Sequence, residues 1–242
     1  MHKKLNNLPS VSVIIPTYNE ERHIEDCLSS LKKQTFKKYE IIVVDDGSTD
    51  STPKIASSFN IKFISLQHKG PGNAKNYGAK IALGEILVFL DADMYVDEFY
   101  LDNIIKPIQQ DKCVATYTTE EFVANNKNIW AQCWNINLEL PPDKRISKKD
   151  KTLGLAFRAI LKNKFLETGG YDSAWGYADD RSLSKYKIRP CPVTTANCYH
   201  YNPDSLKDIY LSSRWIGRSP EFKFNLDNLL KYSIVNSIRI GV

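Results

Sequence analysis

The sequence predicts an α/β fold in which a mostly parallel central sheet is flanked by helices. Within the first hundred residues, short apolar runs alternate with amphipathic segments, which is the pattern of βαβ units that feed a parallel sheet. Apolar residues make up 42% of the 242 residues, which is enough to build a sizeable core. The chain shows no internal repeat and no low-complexity tract. We therefore expect a globular α/β protein.

The first region contains four predicted buried strands, separated by turns and helices. The first strand leads into a helix whose first turn is expected to hold Glu20 and Glu21. Ser48 to Ser51 offer N-caps for a helix near Pro53 to Phe59, and another helix is predicted near Ala74 to Leu83. The predicted strands are Val11 to Ile15, Glu40 to Val44, Lys62 to Leu66 and Ile86 to Leu90.

Beyond residue 100 the alternation weakens. Asp102 to Gln110 predicts a helix, Cys113 to Thr118 predicts a strand, and Ile129 to Leu140 is ambiguous. Pro141 to Lys164 is strongly basic and is typical of a solvated loop. The alternative for this segment is an electrostatic contact with an anionic acceptor or with lipid headgroups.

Charge and cysteine content narrow the functional class. The 33 basic and 28 acidic residues leave a net charge of +5, too diffuse for a nucleic-acid partner but compatible with an anionic substrate or membrane surface.

Five cysteines without a C-x-x-C pair predict neither a disulfide framework nor a zinc cluster, so a reducing cytoplasm is the expected location. The polar start lacks a signal-peptide core, and the longest apolar run, Ile86 to Leu90, is too short to span a bilayer.

Asp91-Ala92-Asp93, directly after the fourth predicted strand, is the strongest local signal for chemistry. Two carboxylates two residues apart at a strand end leave the sheet on the same side and can share a hard cation with phosphate oxygens. Carboxylate oxygens favour Mg²⁺ or Mn²⁺. A D-x-D pair alone is more often a solvated turn, but its position behind five apolar residues favours a binding site.

Four ordered blocks lie within about ninety residues, namely Val11 to Glu20, Val43 to Asp50, Gly70 to Gly78 and Phe89 to Asp93. Together these blocks resemble the family 2 glycosyltransferases of GT-A fold. A fifth block, Gly169 to Asp172 followed by Ala178 to Asp180, is similar to the family segment that ends in an acidic pair. The resemblance thus covers roughly residues 10 to 220.

The resemblance implies roles for the residues at the nucleotide. Asp46 is expected to accept a hydrogen bond from a base N–H, Tyr18 to pack on the base, and Pro16 and Thr17 to shape the pocket. Lys75 stands where relatives usually carry Arg. A positive charge near the nucleotide or phosphates is therefore retained, but the planar geometry of a guanidinium group is lost. The alternative for Asp46 is turn formation and helix capping. The implied nucleotide-sugar-binding residues are Pro16, Thr17, Tyr18, Glu20, Asp46, Lys75, Asp91, Ala92 and Asp93.

The resemblance also implies a metal site and a general base. Asp93 and Asp91 are the expected ligands of Mn²⁺ or Mg²⁺, joined by His200, for which packing between tyrosines is the alternative. Asp180 aligns with the second acid of the family pair and is the expected base. Asp179 stands where the family has Glu, and a purely structural role for it is equally compatible.

A further set of residues is assigned to the acceptor or the diphosphate. The aromatic members suit stacking on a sugar and the guanidinium groups suit a diphosphate, while core packing and a surface helix are the alternatives. These residues are Trp175, Tyr177, Asp179, Arg214, Trp215 and Arg218.

The resemblance implies inverting transfer of a sugar from a nucleotide-diphosphate sugar, UDP favoured over GDP, to a hydroxyl of a glycan or lipid-linked glycan. A polyprenyl-phosphate sugar synthase is the first alternative, and a non-catalytic nucleotide-sugar or carbohydrate binding module is the second. The presence of Asp93 and Asp180 argues against the binding module. A dinucleotide oxidoreductase is disfavoured because no strand leads into G-x-G-x-x-G.

The implied organisation is a single GT-A domain with two functional halves. The single domain covers residues 1–242. Within it, residues 10–100 form the nucleotide-sugar-binding half, residues 101–220 form the acceptor-binding half, and residues 221–242 form a C-terminal helical segment. Leu226, Leu230 and Ile234 share a helical spacing in that last segment. The spacing suits core packing first, and an oligomer contact or a peripheral contact with the cytoplasmic face of a membrane as alternatives.

Overall fold

The computed structural model describes residues 9–146 and 157–217 of the chain. The strands, numbered in chain order, are β1 (Val11–Thr17), β2 (Tyr39–Asp45), β3 (Lys62–Ser65), β4 (Ile86–Phe89), β5 (Met94–Val96), β6 (Ala115–Thr118), β7 (Glu121–Val123), β8 (Ala159–Leu161), β9 (Cys191–Val193) and β10 (Cys198–His200). Seven of them form a sheet in the order β3-β2-β1-β4-β8-β6-β9. The other three form a small sheet in the order β5-β10-β7.

Helices cover both faces of the large sheet. They are α1 (Ile24–Lys32), α2 (Thr52–Ser57), α3 (Pro71–Ile81), α4 (Tyr100–Gln109), α5 (Ile129–Asn137), α6 (Lys162–Glu167) and α7 (Leu206–Ile216), with a 3₁₀ segment at Ser173–Tyr186. The four strands from the first region pair in parallel, whereas β8 is antiparallel to both β4 and β6. The mostly parallel sheet that the sequence predicts is therefore confirmed.

The core consists of two apolar layers, one on each face of the large sheet. Successive side chains of a strand point to opposite faces, so Val13 and Ile15 of β1 pack in one layer with α1 and α4. Ile14, between them, packs in the other layer with α3 and α6. All seven residues of β1 are buried, which explains why the strand is a nearly continuous apolar run.

The strands predicted in the first region are confirmed to within about two residues of their ends, as expected for sequence-based boundaries. Helix α1, however, begins at Ile24, so placing Glu20 and Glu21 in its first turn was wrong. Both residues belong to a loop that is fixed across the sheet edge, where the Glu21 carboxylate accepts a hydrogen bond from Ser51 N. Ser51 is the N-cap of α2 but makes no side-chain capping bond.

Two predictions for the second region need correction. The ambiguous stretch after Asn128 is helical as α5, capped by the Asn128 side chain, which accepts from Trp130 N and Ala131 N. The segment Pro141 to Lys164 is not simply a solvated loop, because its end forms β8 in the middle of the large sheet. Lys148, Lys149 and Lys151 of that segment lie outside the described residues, as do Arg218 and residues 221–242.

The expectation that no disulfide is present was wrong. Cys113 and Cys191 form a disulfide that joins the residues beside β6 to the edge strand β9. Cys27, Cys133 and Cys198 are free. Within the described part of the chain, none of the helices is long and apolar enough to cross a membrane.

Candidate active site

The carboxyl ends of β1 and β2 form one wall of the candidate site. The two strands align Thr17 with Asp45, and Asp46 N donates to Thr17 O at 2.8 Å. The buried Asp46 carboxylate accepts hydrogen bonds from Lys69 N and Gly70 N, both at 2.8 Å. Gly70 has a φ of +93°, a backbone conformation that L side chains rarely adopt. The loop before α3 is thus folded around Asp46.

An exposed aromatic pair lies directly beside Asp46. The rings of Tyr18 and His68 are stacked with their centroids 4.3 Å apart, and Tyr18 is 44% exposed. His68 Nδ1 lies 2.8 Å from Asp46 Oδ2. This gives a flat, solvent-facing surface next to a buried carboxylate. The sequence reasoning missed His68, although its place between a predicted strand and Gly70-Pro71-Gly72 was available as a signal.

Asp91, at the end of β4, is paired with a cation from the second region. Arg158 Nη1 donates to Asp91 Oδ2 at 3.1 Å, and Arg158 Nη2 donates to Glu121 at 2.9 Å. Burial alone would raise the pKa of Asp91, but Arg158 and Lys75 outweigh it and lower the pKa to about 2. Asp91 is therefore ionised and held in place by Arg158.

Asp93 contacts His200, as the sequence predicts for a shared site. His200 Nε2 lies 3.0 Å from Asp93 Oδ2, and His200 Nδ1 lies 3.1 Å from Glu121 Oε1. Burial and Arg145 lower the pKa of His200, but the Asp93 and Glu121 carboxylates outweigh them and raise it to about 9. The imidazole therefore bridges the two acids through its two ring nitrogens.

Glu121 connects these two pairs and was missed by the sequence reasoning. Its buried carboxylate contacts Arg158, His200 and Arg145, the last at 3.2 Å. Burial would raise the pKa of Glu121, but these cations, Arg158 first, hold it well below its usual range. No spacing rule could have found Glu121, because β7 is three residues long and its partners come from distant parts of the chain.

The side-chain atoms of Asp93 and His200 are suitable ligands for a divalent cation. A carboxylate oxygen and an imidazole nitrogen 3.0 Å apart are ligand types that Mn²⁺ and related ions accept. Within residues 9–146 and 157–217, no group of three or more His, Cys, Asp or Glu is arranged to hold a metal. The remaining ligands of a cation would therefore have to come from a substrate or from water.

The acidic pair Asp179-Asp180 shares one buried lysine. Lys75 Nζ donates to Asp180 Oδ1 at 2.7 Å and to Asp179 Oδ1 at 3.1 Å. Burial, together with the nearby Asp180, outweighs Lys75 and raises the pKa of Asp179 to about 7. Burial lowers the pKa of Lys75, but Asp180 and Asp179 outweigh it and place the pKa well above its usual value. The pair is thus expected to keep Lys75 charged near neutral pH.

A polar cleft of about 230 Å³ opens beside Asp93. Glu20 lines it and contacts His23 at 3.1 Å, and burial raises the pKa of Glu20. Arg22 closes one side by pairing with Asp208, in the first turn of α7, and with Asp204, just before that helix. The cleft places Glu20, which the sequence assigns to the donor, next to the D-x-D motif.

The remaining site residues that the sequence predicts are distributed over several elements of the fold. Pro16 and Thr17 are buried in β1, and Ala92 is buried between Asp91 and Asp93. Trp175 is half-buried in the 3₁₀ segment, whereas Arg214 and Trp215 are exposed on α7. The Tyr177 side chain lies outside the described part of the structure.

The sequence and the fold are both similar to known glycosyltransferases. The model of Glycosyl transferase family 2 matches residues 12–170. The putative glycosyltransferase EpsH of Bacillus subtilis is 34% identical over 168 residues, which are 66% of this chain and 48% of EpsH. The chain spans about half the length of EpsH and of the glycosyltransferase AglE of Haloferax volcanii, which is 33% identical over 163 residues.

Two solved structures extend the likeness to three dimensions. S. aureus TarS 1-349 in complex with UDP aligns with a TM-score of 0.61 and 25% identity, covering 96% of this chain and 75% of TarS 1-349. The mannosyltransferase PcManGT from Pyrobaculum calidifontis, in complex with GDP-Man and Mn²⁺, aligns with a TM-score of 0.61 and 22% identity over 86% of this chain and 61% of PcManGT. The GT-A fold is thereby confirmed.

Proposed function

The chain belongs to glycosyl transferase family 2, and from this premise we propose that it transfers a sugar from a nucleoside-diphosphate sugar to a hydroxyl acceptor with inversion. One observation carries the proposal. The carboxyl edge of the sheet brings together a buried carboxylate beside an exposed aromatic pair, the Asp93–His200 contact, and the acidic pair at Asp180. These are a base pocket, a diphosphate site and a proton acceptor, the three parts that such a transfer needs.

The donor is proposed to be a UDP-sugar in preference to a GDP-sugar. Asp46 Oδ1 accepts one backbone N–H, from Lys69, and has a lone pair left for a base N–H, while Tyr18 and His68 offer a stacking surface. TarS 1-349, 25% identical to this chain, was solved with UDP. Pro16, Thr17 and the other donor residues named from the sequence, apart from Lys75, keep their proposed roles.

Asp93 and His200 are the proposed protein ligands of a divalent cation, Mn²⁺ or Mg²⁺. When bound there, the cation would stabilise the negative charge of the leaving diphosphate. Asp91 is proposed to bind the ribose or the sugar, because its Oδ2 is already paired with Arg158. Arg214 and Arg218 are proposed to add positive charge near the diphosphate.

Asp180 is the proposed general base. Its side chain is 33% exposed, and only one of its oxygens is paired with Lys75. The other oxygen can accept the proton of the acceptor hydroxyl while that hydroxyl attacks the anomeric carbon opposite the diphosphate. The sugar–diphosphate bond then breaks, and no covalent sugar–enzyme intermediate is needed.

The acceptor is proposed to be a glycan or a lipid-linked glycan. Trp175, Tyr177 and Asp179 precede or adjoin Asp180 in the chain and are the proposed acceptor contacts. In this proposal residues 10–100 bind the donor and residues 101–220 bind the acceptor. A contact with the cytoplasmic face of a membrane would suit a lipid-linked acceptor and the net positive charge of the chain.

Replacing Asp180 tests this proposal. Asp180→Asn should lower kcat for transfer on the order of 10²–10⁴-fold, because the base is lost, while the affinity for the UDP-sugar stays unchanged. Turnover and calorimetric donor binding would be measured for both proteins. Asp172→Asn is the matched control, because Asn caps the 3₁₀ segment as well as Asp172 does.

Three results would contradict the proposal in different ways. Full transfer by Asp180→Asn would place the base elsewhere. Nucleotide-sugar binding by the wild type without turnover of any acceptor would favour a binding module. Transfer to a polyprenyl phosphate but to no hydroxyl would favour a polyprenyl-phosphate sugar synthase.

A further inference from the structure

The start of helix α3 and the segment that carries the acidic pair fit closely together. Asn76 Nδ2 donates to Tyr171 O at 2.8 Å, and Asn76 Oδ1 accepts from Tyr171 N at 2.8 Å. Gly170 has no room for a side chain, since a Cβ there would collide with Asn76 Oδ1. A Cβ at Gly72 would lie 3.1 Å from Asp179 Oδ2. Two sequence blocks about a hundred residues apart are therefore docked onto each other.

Lys75 is the charged centre of this contact. Its side chain is 6% exposed, and its ammonium group reaches Asp180, Asp179 and the face of the Tyr171 ring, 5.0 Å from the centroid. Asp180 Oδ1 is the nearest partner at 2.7 Å. These contacts fill the surroundings of Nζ and direct it toward the acidic pair.

One cation and two carboxylates make the contact asymmetric. Asp179 is buried and its Oδ2 has no hydrogen-bond partner, whereas Asp180 is the closer and more exposed acid. Burial disfavours a second negative charge beside the first, and the pKa of Asp179 is raised accordingly. Lys75 thus pairs most closely with Asp180, at 2.7 Å, and Asp179 is its second acidic partner, at 3.1 Å.

We infer that Lys75 is a positioning residue for the reaction, which fixes the Asp180 carboxylate by hydrogen-bonding one oxygen and leaves the other directed at the acceptor hydroxyl. This inference rests on the proposed function of Asp180 as the base. It replaces the expectation that Lys75 serves the nucleotide or the phosphates. A carboxylate held by a buried, rigid partner is already oriented before the substrate binds. This prior orientation increases the rate of the proton transfer.

The test separates turnover from donor binding in Lys75 variants. Lys75→Met removes the charge at nearly constant length and should lower kcat on the order of 10²-fold, with the donor affinity kept within about twofold. Lys75→Arg keeps the charge and the donors, so it should restore most of kcat. Lys80→Met is the matched control, because Lys80 is an exposed residue of the same helix and should leave both quantities unchanged.

A double variant guards against a folding defect. Lys75→Met alone leaves two buried acids without their cation, so it can fail to fold for that reason. Lys75→Met/Asp179→Asn removes one acid together with the cation, and it should fold while keeping the loss of kcat. Thermal unfolding would be measured for each variant beside the kinetics.

The outcomes distinguish this inference from the proposed function. If Asp180→Asn abolishes transfer but the folded Lys75 variants keep the wild-type kcat, the positioning role is refuted and the base assignment stands. If the Lys75 variants lose donor affinity at unchanged kcat, Lys75 serves the donor and the inference is also refuted. If Asp180→Asn keeps full transfer, the proposed base is refuted first.

Discussion

The carboxylates on the two sides of the site are held in different ways. On one side, which we propose binds the nucleotide, Asp46 is fixed by backbone N–H groups of the loop that follows β3. On the other side, around the D-x-D motif, Asp91 and Glu121 are fixed by side-chain cations, chiefly Arg158. The first arrangement follows from the local fold of βαβ units, whereas the second depends on ion pairs between distant segments.

This difference has an energetic consequence. Backbone donors belong to the fold itself, so exchanging neighbouring side chains leaves them in place. A buried ion pair loses its balance when one partner is removed, because the other charge remains without solvent or counter-charge. We therefore expect the stability of the second region to depend on single charged side chains more strongly than that of the first.

The largest effect is expected at Glu121. Glu121→Ala leaves the buried Arg158 without its main partner and should lower the free energy of unfolding by about 3–5 kcal/mol. Chemical denaturation of the variant and the wild type would measure the difference. Glu120→Ala is the matched control, because its more exposed pair with Lys144 is worth at most about 1 kcal/mol. Equal losses for both variants would remove the distinction between the two regions.

A second, pH-dependent effect is expected at Asp179. Burial raises its pKa from an ordinary value of 3.8 to about 7, so the folded state holds a proton that the unfolded state has lost between these values. Stability from this group is therefore present below about pH 4 and lost as the pH rises through about 7, at up to about 1.4 kcal/mol per pH unit.

Asp179→Asn should remove that dependence. The free energy of unfolding of the variant, measured between pH 4 and 8, should fall less steeply with pH than that of the wild type. Parallel curves for the two proteins would mean that Asp179 is ionised in the fold and that Lys75 balances both acids equally. The comparison with Asp46, which is held by the backbone, would then need revision.

The two regions also differ in how well the sequence predicts them. The strands of the first region were predictable because buried parallel strands read as apolar runs, and their carboxyl ends identify Asp46 and the D-x-D motif. The family resemblance predicts that Asp93 and His200 share a metal ion, which stays a prediction; the structure shows the two side chains 3.0 Å apart. The resemblance could not predict which side chains form hydrogen bonds or ion pairs with each carboxylate of the site.

The second region was harder for physical reasons. Strand β8 is three residues long and follows a basic stretch, so no periodicity marks it or the adjacent Arg158. Glu121 meets its partners across 24 to 79 residues, and Cys113 pairs with Cys191 across 78. Such contacts depend on how distant segments pair in the folded sheets, and no local sequence pattern indicates them.

The most direct test of the account is calorimetric titration of UDP into the wild type and Asp93→Ala, each with Mn²⁺ and with a chelator. The wild type should bind UDP more tightly with Mn²⁺, and Asp93→Ala should lose that difference while keeping the affinity seen with the chelator. That pattern would place the cation at Asp93 and the nucleotide beside it. UDP binding that is unchanged by Mn²⁺ and by Asp93→Ala would contradict the assignment of the D-x-D motif as the diphosphate site.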